Sequence, residues 1–202
     1  MRDLVTLRLR ERRTAQALRH ARRQPIRTVL NYQITKITGR VQLAEAPILA
    51  PLTGRACAYY SVTVEHLGEL IVLDEDGADF LLDDGTGRAI VHARSRQTRV
   101  ILHKDSNTHV GPLDKIDREL DAFLRWHQRV QHKIFGLPQS LTFREGVLEA
   151  GELATACGVG VWQVDPDLDA WSVGYRDFPR RLALGPLPDG GLHVSDEPEF
   201  VK

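Results

Sequence analysis

The chain has 202 residues, of which 42% are hydrophobic and 27% are charged, values that are typical of a globular domain in water. No stretch approaches about 18 consecutive apolar residues, so the sequence predicts no transmembrane helix. The Arg-rich start lacks the apolar core of a secretory signal. The two cysteines, Cys57 and Cys157, form neither a disulfide framework nor a metal motif, and we expect buried thiols in a reducing, cytoplasmic compartment.

Positive and negative charge are divided unevenly along the chain. Residues 1–27 hold nine arginines against Asp3 and Glu11, a charge of +7, and the remaining residues carry −7. This pattern predicts a basic arm, residues 1–27, which either docks on its own acidic body or binds an external polyanion such as nucleic acid or an anionic membrane surface. The arginines that we expect to contact a polyanion are Arg8, Arg12, Arg13, Arg19, Arg22 and Arg23 in the arm and Arg94, Arg96 and Arg99 in the body.

The arm and the first strands are predicted from local composition and periodicity. Residues 3–23 contain no Gly or Pro and are rich in helix-forming residues, so a helix is expected that Pro25 ends. Residues 32–44 alternate with the period of a strand. Further strands are expected at 59–65 and 70–73, with turns at 66–69 and at the acidic run 74–77.

The centre of the chain carries a hairpin signal. Two apolar runs, 78–82 and 89–92, flank the dipeptide Asp84-Gly85. Gly85 can adopt a positive φ without steric cost, which is what a tight turn between antiparallel strands requires. We therefore predict a hairpin here, followed by a strand at 98–103.

The period then changes to that of a helix over residues 113–134. Strands resume at 140–148 and 153–164, with shorter strands expected at 171–175, 181–184 and 192–195. The apolar stripe of the predicted helix consists of Leu113, Ile116, Leu120, Phe123, Leu124, Val130 and Ile134.

The order of strands, one helix and more strands predicts an α+β fold that is mainly β. OB-type barrels have five strands in Greek-key order, and a helix between strands three and four fits this chain. We predict such a barrel within residues 31–198, built from strands 32–44, 57–73, 78–103, 140–148 and 152–164. A sandwich covered by a helix is the alternative architecture.

A set of short motifs, for which we expect structural roles, is spread over about residues 34–198: Gly39, Pro51, Leu52, Gly54, Arg55, Cys57, Tyr60, Asp84, Gly85, Thr86, Gly87 and Gly151. Together, and in this order, they resemble the GIDE domain, which lies between the membrane helices of a mitochondrial outer-membrane ubiquitin ligase and also occurs in prokaryotic proteins. The resemblance implies a domain that binds proteins or supports assembly; the ligase's zinc-binding RING and its membrane helices are absent from the pattern.

The chain offers little that predicts catalysis or metal binding. Leu82 stands where a phosphotransferase of the haloacid-dehalogenase type would have its nucleophilic Asp. In the acidic run from Asp74, the EF-hand positions for Gly and Glu are occupied by Asp79 and Gly85. The sequence thus predicts a non-enzymatic protein with no catalytic residue, no cofactor and no metal site.

Three functions are compatible with these observations. The first is a protein-interaction or assembly domain of GIDE type. The second is an OB-fold protein that binds single-stranded nucleic acid and uses the basic arm to contact phosphate. The third is a peripheral membrane protein whose Arg-rich helix lies on anionic lipid. The pattern indicates neither the identity of the partner nor the oligomeric state.

Overall fold

The structure is a computed structural model that describes residues 4–111, 114–115, 117–127, 140–167 and 179–201. Its helices are α1 (Leu4–His20), α2 (Arg118–Trp126) and α3 (Pro198–Val201), with a 3₁₀ turn at Ile26–Thr28. Its strands are β1 (Gln33–Leu43), β2 (Ile48–Leu49), β3 (Ala56–Cys57), β4 (Tyr59–His66), β5 (Glu69–Gly77), β6 (Phe80–Asp83), β7 (Arg88–Val91), β8 (Thr98–Ile101), β9 (Ser106–Val110), β10 (Leu141–Leu148), β11 (Leu153–Val164), β12 (Arg180–Gly185) and β13 (Leu192–Ser195).

Five of these strands form a closed barrel in the order β1-β6-β7-β12-β11, which returns to β1 through the β1–β11 pairing. Numbered along the chain, the barrel strands follow one another as 1-2-3-5-4, the Greek-key order of an OB-type barrel. All barrel pairings are antiparallel except that of β7 with β12. The interior contains Ile37, Val41, Phe80, Leu82 and Leu182. The prediction of a mainly β, OB-like barrel is confirmed.

A second sheet, in the order β5-β4-β10-β9, is inserted into the barrel sequence. The strands predicted at 57–73 and 140–148 belong to this sheet, so their assignment to the barrel is wrong. Period-two alternation shows that a segment is a strand but not which neighbour it pairs with. β10 nevertheless leads directly into barrel strand β11 through the turn at Gly151, whose φ is +89°.

The predicted turn at 74–77 is also wrong, because β5 continues to Gly77. β5 is an edge strand of the second sheet, where charged side chains are common because they discourage pairing with other chains. Two of its acidic side chains also have partners within the protein. Asp74 accepts a hydrogen bond from the Tyr60 hydroxyl at 3.4 Å, and Glu75 pairs with Arg10.

Helix α2 lies between the third and fourth barrel strands, as predicted, but begins later than residue 113. Its first helical residue is Arg118, after an extended Asp117. Residues 128–134 of the predicted helix, like the strand predicted at 171–175, lie outside the described residues. Leu120, Phe123 and Leu124 are buried against the second sheet rather than the barrel.

The end of the basic arm is built into the barrel. After α1, the chain runs beside β1, where the Gln24 amide donates to the Lys36 carbonyl at 3.0 Å. Ile26 is fully buried in the barrel core, and its amide donates to Asp84 Oδ2 at 2.8 Å. The Arg27 amide donates to Thr86 Oγ1 at 3.2 Å. The turn between β6 and β7 therefore fixes residues 26–27 to the barrel.

Candidate anion-binding cleft

Helix α1 docks on the body of the protein, against β8, β11 and β13. Leu18 is fully buried with Cys157 and Phe200. Thr14 is also buried, and its hydroxyl lies 3.0 Å from His193 Nδ1. The Lys36 ammonium group donates to the Leu18 carbonyl at 2.8 Å, which satisfies an acceptor near the end of the helix. The basic arm thus docks on the body of its own chain. The outer surface of the arm remains accessible to other molecules.

Docking of α1 creates an open cleft of about 400 Å³ with four arginines in its walls. Arg10 and Arg13 come from α1, while Arg96 and Arg99 come from the turn before β8 and from β8 itself. Among the described residues, no acidic side chain lines this space. We call it the arginine cleft; the residues that line it are Thr6, Leu7, Leu9, Arg10, Arg13, Leu73, Arg96, Thr98 and Arg99.

Arg10 is held in place by Glu75 on β5. Both its terminal nitrogens donate to the carboxylate, and the two side chains are 20% and 10% exposed. Burial lowers the pKa of Arg10, but the hydrogen bond and the charge of Glu75 outweigh this, so its pKa is raised overall and the guanidinium stays charged. This pair neutralises one of the four positive charges and orients one wall of the cleft.

The other three arginines carry the positive charge that the cleft presents. Within the described part of the chain, Arg13, Arg96 and Arg99 make no side-chain hydrogen bond and no ion pair. Arg13 and Arg96 are exposed, and Arg99 is half-buried. Each guanidinium group has five N–H donors in a planar fork that matches carboxylate and phosphate oxygens. An anion in the cleft would therefore meet donors without first breaking an internal ion pair.

His193 lies next to this cleft but does not add to its charge at neutral pH. The side chain is 1% exposed, and burial lowers its pKa, an effect that the positive charge of Arg99 strengthens and Asp189 opposes. The ring is therefore neutral at pH 7, and its contact with Thr14 links α1 to β13.

Of the nine arginines predicted to contact a polyanion, Arg13, Arg96 and Arg99 line the arginine cleft. Arg94 pairs with Glu45 at 2.8 Å, and Arg8, Arg22 and Arg23 are exposed elsewhere. Arg12 and Arg19 line a wider cleft of about 760 Å³. That cleft also contains Glu11, Glu197 and Glu199, and Arg19 pairs with Glu199 at 3.0 Å. Because its charges are mixed, it is a poor site for an anion.

The first group of motif residues shapes one end of the barrel. Gly85 has a φ of +79° in the turn between β6 and β7, as predicted. Asp84 Oδ1 accepts hydrogen bonds from the Thr86 amide, the Thr86 hydroxyl and the Gly87 amide. Gly39 lies against β6, where a Cβ atom would stand 2.8 Å from the Asp83 backbone. These residues make their contacts within the barrel, and none of them lines the arginine cleft.

The second group holds the turn that follows β2. Pro51 and Leu52 begin this turn, and Gly54 has a φ of +69°. The Leu52 amide donates to Oε1 of Glu145, a fully buried side chain, at 2.9 Å. Arg55 pairs with Glu149 and, at 3.3 Å, with Asp105.

Both cysteines are buried and free. Burial raises the pKa of the Cys57 thiol to about 11, and the charges of Glu145 and Glu149 add to this shift. Burial likewise raises the pKa of Cys157 to about 11. Thiols with such pKa values are protonated at neutral pH, so both cysteines are suited to packing rather than to nucleophilic chemistry.

Sequence reasoning missed Arg10 and the apolar floor of the cleft, Leu7, Leu9 and Leu73. Arg10 and Arg13 are three residues apart on a helix and therefore share a face, which was the one local signal available. The contribution of Leu73 depends on the pairing of β5 and has no counterpart in the local sequence.

None of the helices in the described part of the chain is long and apolar enough to cross a membrane. No protein-family model, curated protein or solved structure matches this chain.

Proposed function

We propose that this protein is a non-enzymatic, cytoplasmic interaction domain that binds an acidic segment of a partner protein in the arginine cleft. The observation that carries the proposal is the convergence of Arg13, Arg96 and Arg99, from two separate parts of the chain, on one cleft with an apolar floor. An acidic peptide supplies carboxylates for the guanidinium groups and aliphatic carbons for the leucines. The resemblance to GIDE domains, whose implied role is protein binding or assembly, points in the same direction.

The chemistry of the cleft supports binding rather than catalysis. Guanidinium groups stay protonated in proteins, so they bind anions but do not exchange protons as general acids or bases. The cytoplasmic location is supported by two buried thiols that remain unpaired.

Binding of single-stranded nucleic acid is the second candidate, favoured by the OB-type strand order. Such proteins combine positive charge with aromatic side chains on which bases stack. The described lining of the arginine cleft contains leucines, threonines and arginines but no aromatic ring. We therefore place an acidic polypeptide ahead of nucleic acid.

The test compares three labelled polyanions: poly-glutamate, oligothymidylate and vesicles containing anionic lipid. We expect the protein to bind poly-glutamate at low salt, and we expect the double variant Arg96→Gln/Arg99→Gln to lose most of this affinity. The matched control is Arg118→Gln/Arg180→Gln, which removes the same charge from two exposed arginines outside the cleft. Thermal unfolding of each variant verifies that it is folded.

Two results would contradict the proposal. One is tighter binding of oligothymidylate or vesicles than of poly-glutamate, which would establish a nucleic-acid or membrane function. The other is equal loss of affinity in the control variant, which would show that overall charge, rather than the cleft, determines binding.

A further inference from the structure

We propose that the group recognised in the arginine cleft is a phosphoryl group on the partner segment, held by Arg13, Arg96 and Arg99. This inference rests on the proposed function, because it names the chemistry of the ligand at the same site. It predicts that phosphorylation of the partner strengthens binding.

The charge of the cleft is matched better by phosphate than by one carboxylate. Glu75 neutralises Arg10, which leaves three positive groups without an internal partner among the described residues. A carboxylate brings one negative charge and two oxygens. A phosphorylated side chain brings a charge of about −1.5 to −2 at pH 7 and three strong acceptor oxygens, as many oxygens as there are free guanidinium groups in the lining.

The placement of the arginines also suits a compact, multivalent anion. Arg13 lies on α1, Arg96 in the turn before β8 and Arg99 in β8, so donors from separate elements line a space of about 400 Å³. Arg10 is fixed by its bidentate contact with Glu75, and this contact holds the α1 wall against β5. A site whose walls are held in place before binding loses less entropy when the ligand arrives.

The floor of the cleft indicates a peptide rather than a free phosphate ion. Leu7 is buried, Leu9 is 49% exposed and Leu73 is half-buried, so an apolar surface adjoins the arginines. An apolar side chain next to the phosphorylated residue would cover this surface. We expect the preferred ligand to have a phosphoserine or phosphothreonine with a leucine or similar residue beside it.

The experiment measures, by fluorescence anisotropy, the binding of three labelled peptides that differ at one position. That position is phosphoserine, glutamate or serine, flanked by leucines in each case. With the wild-type protein at pH 7.5 we expect the phosphoserine peptide to bind at least about tenfold more tightly than the glutamate peptide. The affinity for the phosphoserine peptide should fall as the pH approaches 5.5, because the second phosphate pKa is about 6.

Variants test the geometry. Arg96→Lys keeps the charge but loses the planar fork, so it should reduce the preference for phosphoserine over glutamate. The double variant Arg96→Gln/Arg99→Gln should abolish the preference, and Arg118→Gln/Arg180→Gln should keep it. Equal affinity for the phosphoserine and glutamate peptides would overturn the phosphoryl inference and leave the acidic-segment function standing. Binding of neither peptide at low salt would overturn both.

Discussion

Asp84 shows how a single carboxylate fixes two distant segments in this protein. It accepts four hydrogen bonds, one from the Ile26 amide and three from Thr86 and Gly87 in its own turn. Partial burial raises the pKa of Asp84, but these hydrogen bonds outweigh it and lower the pKa overall. The stabilisation is present at neutral pH and is lost as the pH falls through the folded-state pKa.

Gly85, the next residue in this turn, provides a test at the same scale. A Cβ atom at Gly85 would meet no heavy atom within 4 Å, so any cost of substitution comes from its φ of +79°. We expect Gly85→Val to lower the free energy of unfolding by about 1–2 kcal/mol, measured by thermal or urea unfolding. Gly85→Asn is the control, since Asn tolerates positive φ, and it should cost much less. Equal effects of the two substitutions would contradict the conformational explanation.

Asp196 makes the opposite contribution to pH dependence. Burial raises its pKa to about 7, and the charges of Glu152 and Glu197 add to this, while the His103 amide, which donates to it at 2.7 Å, opposes the shift. In the unfolded chain an Asp pKa is about 3.9. Between these values the folded state retains a proton that the unfolded state has released, so the free energy of unfolding decreases as the pH rises.

We therefore expect Asp196→Asn to be more stable than wild type at pH 8, and the difference to shrink towards pH 4. Melting temperatures measured across this range test the prediction. Asp117→Asn, at an exposed position before α2, is the matched control for the exchange of an Asp for an Asn. A stability gain that is the same at pH 4 and pH 8 would show that the ionisation of Asp196 is not its cause.

Among the secondary-structure elements, α2 is one whose buried face could be predicted from the sequence pattern. The spacing of Leu120, Phe123 and Leu124 correctly predicts a buried stripe, because residues three and four apart share a helix face. The spacing does not say what the stripe packs against, and the second sheet rather than the barrel covers it. The start of this helix was poorly predicted, since acidic residues are common both before and within a first turn.

We expect Phe123→Ala to lower the free energy of unfolding by about 3–5 kcal/mol, because it removes buried apolar surface and leaves a cavity. Urea unfolding followed by circular dichroism measures the change. Trp126 on the same helix is 83% exposed, so Trp126→Ala is the control and should change stability by less than about 0.5 kcal/mol. Wild-type stability of Phe123→Ala would mean that α2 does not pack on the second sheet in solution.

For the molecule as a whole, the sequence predicts the fold better than the site. Local signals identify the hairpin at Gly85, the N-terminal helix and the barrel class. The arginine cleft joins Arg13 on α1 to Arg96 and Arg99 in the body, and this depends on the docking of α1 and on the parallel pairing of β8 with β13. Contacts between segments that are remote in the sequence produce no periodic pattern, so the sequence could not show which arginines share a cleft. Six of the nine expected arginines lie outside the arginine cleft.

Two truncations can test which part of the basic arm is needed for the stability of the barrel. Removal of residues 1–20 deletes α1 and exposes Cys157 and Phe200, but it leaves Ile26 in the barrel core. We expect this variant to fold with a reduced melting temperature. Removal of residues 1–27 also deletes Ile26, and loss of such a buried side chain costs about 2–5 kcal/mol by itself.

The second truncation should therefore be much less stable than the first in urea unfolding. Similar stability of the two truncated proteins would contradict a structural role for Ile26 and for its contact with Asp84.

The closure of the barrel has a consequence for the time course of folding. β6 and β7 pair across a short turn, whereas β1 pairs with β11, so that Gln33 lies opposite Gly160 and the second sheet is enclosed in the loop between them. Joining the ends of such a long loop is entropically slow compared with forming a hairpin. We expect the amide protons of β6 and β7 to gain protection from exchange during refolding before those in the β1–β11 seam, which pulsed hydrogen exchange can measure. Simultaneous protection would indicate that the seam forms within the folding nucleus, and mutations along β1 would then slow refolding rather than accelerate unfolding.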